Sequence, residues 1–152
     1  MCDLPVHVAD EEQVVRAIFS NHLKNKSTLE KNAFYERNDD LSVMRHTHLG
    51  SDQCKKHALE VKPRNPQITY KGFAVIGVKV VREVGSQVTD TRDGNYCGHA
   101  SLSHGIALPP ADDPLFAEQK LALDDRLRKL KTLARFVPDK DPSAGTWTGE
   151  AF

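Results

Sequence analysis

Apolar residues recur at two different spacings along the chain, and each spacing predicts a different element. Between Asp10 and Lys24, Val14, Val15, Ile18, Phe19 and Leu23 fall at helical spacing, with Asp10 as N-cap and Glu11 and Glu12 in the first turn. This predicts an N-terminal amphipathic helix. Ser27-Thr-Leu-Glu30 matches a capping box and predicts a short second helix towards Phe34 and Tyr35, broken at Asn38-Asp-Asp40. Leu41 to His48 then alternates as a strand does. Leu41, Val43, Arg45 and Thr47 would share one face, and Ser42, Met44, His46 and His48 the other.

Gly50-Ser51-Asp52 reads as a turn, followed by a short helix with Cys54, Ala58 and Val61 on its buried stripe and Pro63 as its stop. Gly72-Phe-Ala-Val-Ile-Gly-Val78 is apolar on both alternations, the signature of a strand covered on both faces, and is expected at the middle of a sheet. Val78 to Val84 fits a short helix with Gly85 as its C-cap. Ser86 to Thr91 reads as a strand, Asp93-Gly-Asn95 as a turn, and His99 to Ile106 as a strand or extended loop. From Asp112 or Asp113 to about Arg135, Leu115, Phe116, Leu123, Leu127, Leu130, Leu133 and Ala134 form the seam of a long helix, with Asp124, Asp125, Arg126, Arg128, Lys129 and Lys131 on its wet face.

The pattern thus predicts a single α+β domain over residues 1–137, built on an antiparallel or mixed sheet of about four strands. An N-terminal amphipathic helix and a long C-terminal helix flank the sheet. Residues 138–152 are expected to be an irregular tail, docked on the body or on a partner through Trp147 and Phe152.

Composition narrows the possible partners. Lys plus Arg and Asp plus Glu both number 21 in 152 residues, so no global field gathers nucleic acid or an anionic surface around the molecule. Nucleic acid is therefore a partner that charge does not indicate. A protein partner or a second copy of the chain fits the near-zero net charge better. The longest apolar stretch, Phe73 to Val81, is far shorter than the roughly 20 residues of a membrane span. No apolar leader follows Met1, and the odd set Cys2, Cys54 and Cys97 lacks C-x-x-C spacing, so a reduced, cytoplasmic setting is expected.

The candidate chemistry lies in the histidines, four of which form two close pairs, His46 with His48 and His99 with His104. Imidazole changes protonation near neutral pH, binds metals and moves protons. His46 and His48 on one strand face, joined by His99, could ligate zinc, which is the cofactor the sequence admits although none is expected. His99, His104 and His46 could instead provide acid and base on a phosphate ester, with Arg45 gripping the anion in its guanidinium fork. A third possibility makes Cys97 a nucleophile with His99 or His104 as base. Dinucleotide and P-loop glycine patterns are absent from the sequence.

Ala33-Phe-Tyr-Glu-Arg with Leu41-Ser-Val-Met-Arg45, Gly72-Phe-Ala-Val, and Asn95-Tyr-Cys-Gly-His-Ala100 together resemble a loose group of small uncharacterised bacterial proteins. These carry an L-S-V-x-[RW] strand and, some fifty residues later, an N-x-x-H-A segment, from which this chain departs by one extra residue between Asn95 and His99. The resemblance spans about the middle half of the chain and implies a bacterial cytoplasmic origin. It singles out His99 and transfers no activity. With no complete catalytic motif, the sequence points first to a non-catalytic accessory or interaction protein of a bacterial multi-component system, such as defence or toxin control. The alternative is a small His/Arg enzyme acting on RNA, a nucleotide or another phosphate-containing substrate, with or without zinc.

Overall fold

The computed structural model describes residues 1–152 throughout. The chain first forms strand β1 (Gln13–Phe19), a 3-10 turn at Ser20–His22, a small hairpin of β2 (Leu23–Lys24) and β3 (Thr28–Leu29), and a second 3-10 turn at Lys31–Phe34. There follow β4 (Leu41–Arg45), helix α1 (His46–Glu60), β5 (Tyr70–Gly77), α2 (Val78–Glu83), β6 (Gln87–Asp90), β7 (His99–Ser103), α3 (Phe116–Leu133) and β8 (Arg135–Pro138). One antiparallel sheet of six strands runs in the order β6-β7-β4-β1-β5-β8. The class is α+β, with six strands where the hydrophobic pattern predicts four. No helix is long and apolar enough to cross a membrane.

The largest departure from expectation is at the start. Residues 13–19 form a strand near the centre of the sheet, not an amphipathic helix, and pair with β5 from Gln13↔Gly77 to Phe19↔Tyr70. Both faces of β1 are covered, so apolar residues occupy both alternations and the two-residue rhythm disappears. Val14 and Ile18 belong to one core and Val15 and Ala17 to the other. The β-branched pair Val14-Val15 and Ile18 suit a pleated backbone better than a helix. The strand at Tyr70–Gly77, expected at the middle, is flanked by β1 and β8 and lies next to the sheet's edge.

Each face of the sheet carries its own core. On one face Leu123, Leu127 and Leu130 of α3, with Val78 and Val81 of α2, pack on Val14, Ile18, Val43, Ala74, Ile76, Ala100 and Leu102. On the other, Cys54 and Ala58 of α1 cover Val15, Ala17, Met44, Phe73 and Val75. Gly72, at φ +147°, allows β8 to pair here, because a Cβ at this position would collide with the Val137 carbonyl and with Pro138.

The chain beyond β8 turns back over the α1 face. Trp147 stacks on Phe73 with ring centroids 5.1 Å apart, and Phe152 meets both rings edge-on. Lys55, fully buried, donates to Asp139 at 2.8 Å and to the carbonyls of Asp141 and Thr146 at 3.0 and 2.7 Å. Thr148 and Tyr70 donate to the same Asp139 carboxylate, so every polar group of the clamp is satisfied. The open half of this face, over β6, β7 and the outer end of β4, carries the hydroxyls of Ser42, Thr89, Thr91 and Ser101.

Candidate functional site

Arg45 does not face a cavity. It ends β4 on the α3 side of the sheet with no exposed surface and forms a fork on Glu12, Nε to Oε1 and Nη2 to Oε2 both at 2.8 Å. Its Nη1 donates to Asp90 at 2.7 Å, and its remaining contacts are the carbonyls of Pro5 and His7. Arg92 grips the opposite side of Asp90 in a second fork and reaches the carbonyls of Cys2, Leu4 and Pro5. The hydrogen bonds from Arg92, reinforced by Arg45, hold the Asp90 carboxyl down at about 2. Burial raises the Glu12 carboxyl, but hydrogen bonds from Arg45 and the Ala9 amide outweigh it and leave the net shift downward. Arg45 is therefore committed to a buried ion network that fixes the N-terminal segment. It has no donor left to hold a substrate anion.

The histidine pairs are also dispersed. The strand that was expected to run to His48 stops at Arg45, and helix α1 begins at His46, where the Thr47 hydroxyl accepts the Gln13 amide. On a helix, residues two apart point in different directions. His46 stacks on Phe152 at 4.3 Å and bonds Ser51, whereas His48 approaches Glu12 at 3.4 Å. His99 bonds neither. The zinc set His46, His48 and His99 is thus not assembled, and no group of three potential ligands in the structure could hold a metal ion.

His104 lies on the α3 side. Its Nε2–H donates to the Phe34 carbonyl at 2.7 Å, which leaves Nδ1 to accept from the Ser86 hydroxyl at 2.8 Å. Buried and bonded at both nitrogens, it is a core histidine, with burial lowering its pKa. The shared catalytic set His99, His104, His46 and Arg45 is therefore distributed over both sides of the sheet. Cys97 is not a free nucleophile, because it is bonded to Cys2; only Cys54 is free, and it is buried.

His99 alone contacts a residue that lines an opening. β7 pairs with β4 in the register Met44↔His99 and Ser42↔Ser101, which puts His99 and Ser42 on the same face in diagonal positions. The Ser42 hydroxyl is 2.8 Å from His99 Nε2, and the Thr91 hydroxyl is 2.6 Å from Nδ1 and 3.0 Å from the Ser101 hydroxyl. Burial lowers the His99 pKa below the ordinary imidazole value and so favours the uncharged ring. With the proton on Nδ1 directed at the Thr91 hydroxyl, Nε2 is the acceptor for the Ser42 O–H. Ser42 is exposed and His99 is 8 % exposed, so an accessible hydroxyl rests on a sheltered base.

Ser42 opens onto a cleft of about 340 Å³ between the sheet and the C-terminal half of α1. Tyr96 forms one wall, stacked on His57 at 3.5 Å and edge-on to His99 at 5.2 Å. His57 Nδ1 has no hydrogen-bond partner, its nearest carboxylate being Glu60 at 3.6 Å. Arg16 enters where β1 and β4 diverge after two residue pairs, donating to the Ser42 and Ala33 carbonyls and pairing with Glu36 at 3.0 Å. His22 accepts the Phe19 amide at Nδ1, so its N–H is on Nε2, and burial pushes its pKa down to about 4. Phe19, Met44, Val61 and Ile68 form the apolar side.

Of the site residues singled out in the sequence none lines the cleft, and His99 meets it only through Ser42 and Tyr96. Ser42, Thr91, Tyr96, His57 and Arg16 were missed. Ser42 could have been found, since strand alternation places it on the face of Met44, but its pairing with His99 depends on a register that spans 57 residues. The chain matches no known protein family, no curated protein and no solved structure.

Proposed function

We propose that the protein is a small hydrolase or transferase in which Ser42 is the nucleophile and His99 its base, acting on an acyl or phosphate ester bound in the Tyr96–Arg16 cleft. One observation carries this: an exposed serine hydroxyl 2.8 Å from the Nε2 of a neutral, sheltered histidine whose other nitrogen is held by Thr91. The arrangement has the nucleophile, base and orienting group that covalent catalysis needs. Ser42 Oγ attacks the ester carbon or phosphorus, its proton passes to Nε2, and His99 returns that proton to the departing oxygen. Water then repeats the attack and frees Ser42. The arginine of the phosphate-ester alternative becomes Arg16, which has N–H groups left after its three contacts.

The test is covalent labelling. A fluorophosphonate should add to the protein once, peptide mapping should place the adduct on Ser42, and Ser42→Ala should abolish it. Absence of an adduct at concentrations that label an ordinary serine hydrolase would overturn the proposal.

The accessory or interaction role in a bacterial multi-component system is the second reading, supported by the exposed Leu115, Leu121 and Leu133 at and along α3. It is the one left standing if Ser42 is inert. The bacterial cytoplasm is the setting that the sequence resemblance supports, and a disulfide there is more often a redox-responsive one than a permanent staple.

A further inference from the structure

We infer that the Cys2–Cys97 bridge is a redox-operated latch beside the Tyr96 wall of the Ser42 cleft, so that a dithiol reductant loosens residues 95–99 and slows Ser42. The inference deepens the proposed function and rests on it for its second half only.

The bridge closes a separation of 95 residues and ties the N-terminal segment to the turn that carries the cleft wall. Cys97 is exposed, so a thiolate can reach its sulfur, whereas Cys54 is buried and takes no part. On one side of Cys97 is Tyr96, stacked on His57; on the other is Gly98, buried, at φ +95° and accepting the Arg45 amide at 2.9 Å. Next comes His99, whose own amide donates back to the Tyr96 carbonyl at 3.1 Å. The four residues Tyr96 to His99 therefore join bridge to base without an intervening element.

On the other side of the bridge the chain has no buried apolar side chain before Val8 and is held by the bond and the arginine network. Met1, Asp3, Pro5, Val6 and His7 are exposed, and the first buried apolar side chain is Val8. Residues 2–5 are held by the bridge and by carbonyl hydrogen bonds from Arg92 and Arg45. Such a segment gains conformational entropy once its covalent tether is cut, and its order then rests on the arginine hydrogen bonds alone.

The chemistry is thiol–disulfide exchange. One thiolate of a dithiol attacks Cys97 Sγ, Cys2 leaves as a thiolate, and the second thiol then attacks the mixed disulfide and frees Cys97. Two electrons pass from the dithiol, which becomes a cyclic disulfide, to the bridge. Reoxidation reverses the step.

The experiment combines amide exchange with Ser42 labelling on the full chain, with dithiothreitol as reductant and Cys2→Ser as a variant that needs none. Air-oxidised protein should show Cys2 and Cys97 closed to maleimide. On reduction, exchange over residues 95–99, where the Asn95 and His99 amides donate to the Arg92 and Tyr96 carbonyls, should rise about tenfold. The fluorophosphonate rate at Ser42 should fall about threefold or more, as expected for a displaced base, and recover on reoxidation. Free Cys2 and Cys97 in the oxidised protein, or unchanged exchange over 95–99 after complete reduction, would overturn the latch. So would loosened exchange with an unaltered Ser42 rate. If Ser42 labels in neither state, the hydrolase proposal has failed, and exchange over 95–99 then decides the latch by itself. Should Cys2→Ser not fold, titration of the native chain with dithiothreitol gives the same readouts.

Discussion

Lys55 and Asp139 meet 2.8 Å apart with neither side chain reaching solvent. The pair joins helix α1 to the segment after β8 and explains why residues rich in Pro, Gly and Asp hold a fixed path. Burial raises the Asp139 carboxyl, but Lys55, Thr148 and Tyr70 together bring it below its ordinary value, so it is ionised at neutral pH. Removing one member of such a pair strands the other charge. Lys55→Met should therefore cost about 3–5 kcal/mol in urea unfolding and shift Trp147 fluorescence towards that of an exposed indole. A loss under about 1 kcal/mol would show that the pair is not what retains the tail.

Arg45 makes a similar but stronger case, because it neutralises two carboxylates at once. Arg45→Met would leave Glu12 and Asp90 facing each other across the space that the guanidinium fills, with Arg92 still on Asp90 alone. The expected destabilisation is again about 3–5 kcal/mol, with loss of protection at the Ala9 amide, which donates to Glu12. An Arg45 that acted by gripping substrate would behave in the opposite way. Its replacement would leave denaturant stability intact and weaken binding alone.

Stability should fall in two steps as the solution is acidified. The His22 imidazole has its pKa lowered from 6.5 to about 4 by burial, so between those values the unfolded chain binds the extra proton and the folded one does not. Stability from this group is present above pH 6.5 and is lost as pH falls towards 4. Asp90 acts lower down: its carboxyl lies at about 2 against an ordinary 3.8, so its contribution is present above 3.8 and is lost as pH falls through 2. Each step is worth roughly 1–3 kcal/mol. Urea midpoints measured across the acid range check this, and His22→Gln should remove the upper step. A profile flat from pH 7 to 4 would refute the burial of His22.

The sequence made some of this legible and hid the rest for identifiable reasons. Gly72 to Gly77 could be read as a two-sided strand because a run with no polar residue has few other uses. Val14 to Phe19 could not, because Arg16 interrupts an equally two-sided strand and leaves apolar residues at spacings that also fit a helix. The centre of the leucine seam of α3, Leu123, Leu127 and Leu130, was plain, since a helix with one wet face keeps its period, whereas Leu115 and Leu133 at its ends fit the same period and are exposed. Arg45 read as an anion clamp because its partners are 33 and 45 residues away, and no local pattern announces that a guanidinium is already committed. His46 and His48 misled for a local reason, the strand's end at Arg45. That end depends on Thr47 capturing the Gln13 amide, a contact made by folding.

Ser42 and His99 give the sharpest prediction, because a structural pair and a catalytic one respond differently to the same changes. Ser42 is exposed, so Ser42→Ala should leave stability within about 0.5 kcal/mol while abolishing fluorophosphonate labelling. His99→Asn should slow labelling about 10²–10⁴-fold, the usual contribution of a positioned base. Thr91→Val tests orientation: it removes the hydroxyl at Nδ1 and should slow the reaction about tenfold while changing the pH at which it rises. Because the base must be neutral and burial holds its pKa below 6.5, the rate should climb as pH rises through a value under 6.5 and be flat at pH 7. A rate that follows hydroxide concentration through that range, in the native chain and in His99→Asn alike, would mean that the imidazole takes no proton from Ser42. The short Ser42–His99 contact would then serve only to satisfy a buried ring.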